Sequence, residues 1–110
     1  MTADRKPVLW VHGELKSPPI SSLARVQAGY LIGLLQEGVS LSMPLSRPMS
    51  DIGSSCHELR IRDGNTSWRI IYRVDEEAIL IVDVFKKKSA ATPKRVIDTC
   101  KRRLKAYDQK

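Results

Sequence analysis

From His57 to Lys88 the chain alternates between apolar and polar residues, turns, alternates again and then runs apolar, a pattern that predicts three consecutive β-strands. Leu59 and Ile61 alternate with Glu58, Arg60 and Arg62, the period of a strand with one buried and one wet face. The cluster Asp63-Gly64-Asn65-Thr66 tolerates positive φ and bonds its own backbone, so the chain is expected to return antiparallel in a hairpin. On the returning strand, Ser67 to Val74, the residues Trp68, Ile70, Tyr72 and Val74 share one face, while Arg69, Ile71 and Arg73 share the other. A second polar turn, Asp75-Glu76-Glu77, leads into Ala78 to Phe85, an apolar run broken only by Asp83, which suits a central strand covered on both faces. That run ends in Lys86-Lys87-Lys88, so lysines emerge beside the arginines of the neighbouring strands and a cationic cleft is expected there.

The flanking segments are simpler. Met1 to Lys6 reads as a disordered start, and Pro7 to Val11 as a short first strand ended by His12-Gly13. After Ser17-Pro18-Pro19, the residues Ile20, Leu23, Ala24, Gln27, Leu31, Leu34 and Leu35 recur at helical spacing, with Ser21 or Ser22 as cap and Gly38 at the end. Gly29 and Gly33 weaken the helix interior, and the reason expected for them is close packing on the sheet. Val39 to Ser55, with two prolines and six serines, reads as a loop. Thr92-Pro93 reads as a helix start, threonine capping and proline in the first helical position. The helix that follows sets Val96 or Ile97, Cys100, Leu104 and Tyr107 against a basic face of Lys94, Arg95, Lys101, Arg102 and Lys105.

With 110 residues, the expectation is one α+β domain spanning 1–110, in which a small, mainly antiparallel four-stranded sheet packs against an N-terminal helical segment and a C-terminal helix. No apolar run approaches the roughly 18 residues that a membrane span needs, and no signal-peptide pattern is present, so a cytoplasmic protein without membrane partners is expected. Cys56 and Cys100 lack metal-ligand neighbours; zinc is not expected, and a disulfide is possible but not indicated. Of the nineteen Lys and Arg residues ten lie between Lys86 and Lys110, against Asp98 and Asp108 alone, whereas the first 85 residues are near neutral. A polyanion partner bound through counterion release and a merely solubilising helix both fit that tail.

Three stretches carry a resemblance. The combination GYLIGLLQEGVSLSMPLSRPM, then HELRIRDGNTSWRIIYRV, then ILIVDVFKKKSAATP with a closing KRRL resembles the RelE/HigB superfamily of toxins from bacterial toxin–antitoxin systems, in its phage-derived HigB-like branch, over residues 8 to 105. The resemblance implies a toxin that cleaves mRNA, commonly at the translating ribosome, neutralised by a helix-turn-helix antitoxin. It places Arg60 where ribonuclease members carry a strand lysine, Arg69 on a strand arginine, and Lys86 or Lys87 on the basic end of the last strand. The chain departs from that pattern in two places. Glu58 replaces a basic residue, and Thr92-Pro93 stands where a tyrosine is common.

Cleaving RNA by attack of the 2′-hydroxyl needs a base, an acid and positive charge around the developing phosphorane. Arginine stays protonated and forks onto phosphate, so Arg60 and Arg69 are assigned to charge stabilisation. Lysine loses pKa when cations crowd it, so Lys86 or Lys87 could serve as acid or base, with Glu58 and His57 as the other titratable candidates. Arg62, Arg73, Lys88, Lys94 and Arg95 are the expected RNA-binding residues, no cofactor or metal being required. The blander readings pair Arg62 and Arg73 with Asp63, Asp75 or Glu76, put Trp68, Tyr72, Trp10 and Cys100 in the core, and leave His12 incidental. Two other functions fit the same features: a ParE-like toxin that inhibits DNA gyrase, and an RNA-binding module without toxicity. On this reading Arg69 is a surface residue, replaceable at about 0.5 kcal/mol.

Overall fold

The computed structural model describes residues 5–17 and 19–110, so the expectation for residues 1–4, and for Pro18, lies outside the described residues. The elements are β1 (Val8–Trp10), α1 (Ser22–Gln36), β2 (Ser46–Pro48), β3 (Cys56–Asp63), β4 (Thr66–Val74), β5 (Ile79–Lys86) and α2 (Lys94–Asp108). The strands make a five-stranded sheet in the order β1-β5-β4-β3-β2. β1 runs parallel to β5 and every other pair is antiparallel. The architecture is α+β with α1 on one face of the sheet and α2 on the other.

The expected hairpin is the middle of the sheet, with Asp63 opposite Thr66, Leu59 opposite Ile70 and Arg60 opposite Arg69. β5 is covered on both faces, because Ile79 and Ile81 join the α1 cluster while Leu80 and Val82 join the α2 cluster. Trp68 and Tyr72 are core residues beneath α1, as expected.

Several expectations are corrected. The stretch expected as a loop contains β2, a fifth strand too short to show a period. It exists because the Leu45 carbonyl accepts the Arg60 N–H at 2.8 Å and buried Ser46 shares a 2.6 Å hydrogen bond with the Tyr72 hydroxyl. Pro48 is tolerated there because β2 is an edge strand with an unpaired side. α1 starts at the predicted Ser21 cap, whose hydroxyl accepts the Ala24 N–H at 3.1 Å. Its buried face is rotated from the expected stripe: Ala24, Ala28, Leu31, Ile32 and Leu35 face the sheet, and Leu23 is 84% exposed. Alanines therefore provide the close approach, while a side chain on Gly29 would meet nothing within 4 Å. Trp10 is 45% exposed because β1 is a three-residue edge strand. Arg5 and Lys6 are engaged rather than loose: the Lys6 N–H donates to the Gln36 carbonyl at 3.0 Å and its ammonium to the Asp75 carbonyl at 2.8 Å.

One glycine is required by close approach. Gly13 has φ +94, and a Cβ there would lie 3.0 Å from Val84 Cγ2, so the chain leaving β1 can cross β5 only without a side chain.

α2 buries Val96, Cys100 and Leu104 against Ile71, Leu80 and Val82, so the face of β4 read as wet is apolar for most of its length. At the end of that face beyond the first turn of α2 polar side chains remain, and Glu58, Arg60 and Arg69 meet there.

Candidate active site

Glu58 is the centre of the polar end. It is 2% exposed, and both of its carboxylate oxygens are engaged. Oε1 lies 3.4 Å from Arg69 Nε and 3.9 Å from Arg60 Nε, while Oε2 accepts a 2.5 Å hydrogen bond from the Thr92 hydroxyl. Arg60 and Arg69 face each other directly across the β3–β4 pair, a placement that is destabilising for like charges unless something neutralises them. Glu58, two positions along β3 on the same face, does so. On its other side it is paired in register with Arg47 of β2. One carboxylate among three guanidiniums leaves an excess of positive charge.

Arg69 is only 7% exposed. Burial lowers its pKa, Glu58 opposes that, and the nearby charges of Arg60 and Arg47 add to the lowering. Its Nη1 also donates to the Trp68 carbonyl at 3.3 Å. Among the described residues Arg60 Nε is buried without a hydrogen-bond partner.

A cavity of about 470 Å³ opens over this pair. Glu58, Arg69, Asp83 and Phe85 contribute from the sheet, and the segment Lys86 to Pro93, with Arg95 and Val96, contributes from the strand end and the start of α2. Asp83 reaches the cavity because of a β-bulge. Ile71 pairs with Asp83 but Tyr72 pairs with Ile81, so β5 carries one extra residue at this point. The bulge puts Asp83 on the α2 side of the sheet, where it lies 3.4 Å from Arg103, instead of in the core under α1.

The predicted residues divide accordingly. Arg69, Glu58, Lys86, Lys87, Lys88 and Arg95 are brought together around one cavity. Arg60 stands behind Glu58, outside the lining, and exposed Arg62 lies nearer the hairpin turn, also outside it. Lys94 is turned to solvent and paired with Asp98 at 2.9 Å. Arg73 is placed as the blander reading had it: it is clamped by Asp75 at 2.7 Å and by Asp108 at 2.7 Å, which raises its pKa and holds the Asp108 carboxyl below its usual range. Arg73 is not in the lining of this cavity. His57 points to the α1 side, stacked on Tyr72 with ring centroids 5.3 Å apart, so it cannot act at the cavity. Asp63 does not pair with Arg62; it accepts hydrogen bonds from the Ser21 N–H at 2.9 Å and from Trp68 Nε1 at 3.1 Å.

Two contributors escaped the sequence reading. Arg47 was hidden in a segment whose serines and prolines read as loop. Thr92 was expected to cap α2, yet Pro93 is the N-cap residue without a side-chain cap bond, and the Thr92 hydroxyl holds Glu58 instead. Both cysteines are free and buried, and burial pushes the Cys100 thiol up to about 12. Among the described residues no group of three or more His, Cys, Asp and Glu side chains is placed to hold a metal ion, and no helix is long and apolar enough to cross a membrane.

A family model described as phage derived protein Gp49-like (DUF891) matches residues 14–105. No curated protein and no solved structure matches the chain.

Proposed function

The chain belongs to the Gp49-like family of phage-derived proteins, and from that premise we propose that it is the toxin of a type II toxin–antitoxin pair and acts as a metal-independent endoribonuclease on mRNA. The observation that carries this reading is the cavity itself, in which a buried Glu58–Arg69 pair lies beneath Lys86, Lys87, Lys88 and Arg95. The resemblance to RelE/HigB toxins at the β3–β4 hairpin and the lysine joint supports it.

In the proposed reaction the 2′-oxygen of a ribose attacks the adjacent phosphorus as its proton leaves to a base. The bond from phosphorus to the 5′-oxygen then breaks and that oxygen is protonated, giving a 2′,3′-cyclic phosphate and a 5′-hydroxyl. Arg69 is assigned to the phosphorane charge, where a donor preorganised in a dry site is most effective. Glu58 holds Arg69 by its Nε and, with Thr92, fixes the carboxylate at the cavity wall. Lys86 and Lys87 are the proton carriers assigned to the open side, Glu58 and Asp83 being the carboxylates within the lining. Lys88 and Arg95 hold the flanking phosphates, and Arg60 and Arg47 enrich the positive field from behind. The proposed partners are mRNA on the ribosome in the cytoplasm and a helix-turn-helix antitoxin.

The test is induced expression of the wild type and of Lys86→Ala/Lys87→Ala/Lys88→Ala, with growth recorded and transcript 5′ ends mapped. Growth arrest with new 5′ ends in the wild type, both lost in the variant, is the expected result. Growth arrest with intact transcripts and gyrase-dependent DNA breaks would replace this reading by the ParE-like one. RNA binding without either effect would leave a binding module.

A further inference from the structure

The charges of α2 fall into two groups. Lys94 is paired with Asp98 and Arg103 with Asp83, and Asp108 is held by Arg73. Arg95, Lys101, Arg102 and Lys105 are exposed, and among the described residues no ion pair engages them. At about 100° per residue these four fall within an arc of roughly 120°, opposite Val96, Cys100 and Leu104. They form a line. Arg95 lines the cavity at one end, Lys101 lies about 9 Å further along the axis and Lys105 about 15 Å.

At the far end of that line is a second concavity, of about 590 Å³, between the C-terminal half of α2 and the Ile52–Ser54 turn. Lys101, Arg102 and Lys105 all line it. Its one carboxylate, Asp108, is held by two hydrogen bonds from Arg73, at 2.9 and 2.7 Å; Asp75 shares that guanidinium, so the Arg73–Asp75–Asp108 cluster keeps one net negative charge. Lys101, Arg102 and Lys105 outnumber that charge, and among the described residues no ion pair engages them, although Asp98, held by Lys94, feels Lys101 and Arg102 from one turn away; the groove keeps an excess of positive charge on a clamped wall.

We infer that this groove is a second phosphate-binding site, and that a single RNA strand seated in the cavity continues along the Arg95 line of α2 into it. The identity of the polyanion rests on the proposed ribonuclease function; the groove and its charge do not. A strand of regularly spaced phosphates suits cations placed along one helix face, with affinity drawn from counterion release. An acidic protein suits it less, because the groove's apolar residues, Ile52, Cys56 and Leu104, are all buried and offer no exposed anchor for the centre of a protein interface.

The test measures binding of the full chain to fluorescent 2′-O-methyl oligoribonucleotides, which cannot be cleaved, across a salt series. One oligonucleotide is just long enough to fill the cavity and the other is long enough to reach the groove. For Lys101→Gln/Arg102→Gln/Lys105→Gln the slope of log K against log salt should fall by about 2 with the longer RNA, three phosphates at about 0.7 each, and should not change with the shorter one. Urea midpoints equal to the wild type show that the fold is kept. An unchanged slope with the longer RNA overturns the groove and leaves the cavity reading standing. A wild type that binds neither RNA overturns both, and loss of binding to polyglutamate but not to RNA overturns the groove in favour of an acidic protein.

Discussion

Arg69→Ala should destabilise the protein by about 2–3 kcal/mol, because Arg69 is not the surface residue that strand alternation makes it. Breaking a buried ion pair by removing one partner costs about 3–5 kcal/mol, the charge left behind being desolvated and unpaired. Glu58 and Arg69 are 2% and 7% exposed, so the buried figure applies. It is reduced here because Glu58 keeps the Thr92 hydroxyl at 2.5 Å and Arg60 at 3.9 Å. For a domain of this size 1 kcal/mol moves Tm by about 4 °C, so a drop of about 10 °C is expected. Removing both charges in Glu58→Gln/Arg69→Met should cost less than the two single changes together, since no buried charge is then orphaned. Urea unfolding of the wild type, Glu58→Gln, Arg69→Met and the double variant closes a cycle, with an expected coupling of at least about 1.5 kcal/mol. A coupling below about 0.5 kcal/mol would refute the claim that Glu58 holds Arg69. The same argument decides which substitution probes function: Arg69→Lys retains a cation for Glu58, while Arg69→Ala confounds folding with activity.

Two further outcomes test the core. Leu59 is fully buried opposite Ile70 beneath α1, so Leu59→Ala should lower the unfolding free energy by about 2–5 kcal/mol, and a denaturant midpoint that does not move would contradict its placement. The Cys100 thiol, ordinarily near 9.0, is pushed up by burial to about 12. Its contribution is fully present below pH 9 and is lost as pH rises from 9 towards 12, because only the unfolded chain ionises in that window. Urea unfolding at pH 8 to 11 should therefore show a fall steeper in the wild type than in Cys100→Ala, by up to about 1.4 kcal/mol per pH unit. Equal slopes would show that the thiol titrates freely.

What was legible in the chain was whatever repeats at a short period. The β3–β4 hairpin, the apolar run of β5 and the stripe of α2 declare themselves by alternation or helical spacing, and the arginines of β3 and β4 declare which face they share. Alternation does not say what covers a face. Ile71 reads as a wet-face neighbour of Arg69 and Arg73, yet α2 buries it, and Arg69 on the same face is buried as well. β2 is three residues long and shows no period, so Arg47 was lost with it. The bulge that turns Asp83 to the cavity leaves no mark in the sequence, because it is a matter of pairing between strands. Thr92 followed by proline has the composition of a helix cap, and only the fold brings Glu58, 34 residues earlier, within reach of its hydroxyl. Arg73 shows the converse. Its pairing with Asp75 is local and was readable, whereas its second carboxylate, on Asp108, is 35 residues away.

The central claim is that the cavity over the Glu58–Arg69 pair is a ribonuclease site, and the most direct measurement is single-turnover cleavage of a labelled mRNA by purified wild type and Arg69→Lys, with translating ribosomes present and absent. Arg69→Lys should unfold within about 1 kcal/mol of the wild type and cleave about a hundredfold to a thousandfold more slowly, because a point charge does not replace the guanidinium fork at the phosphorane. Cleavage by Arg69→Lys at the wild-type rate, or no cleavage by the wild type under either condition, would contradict the claim.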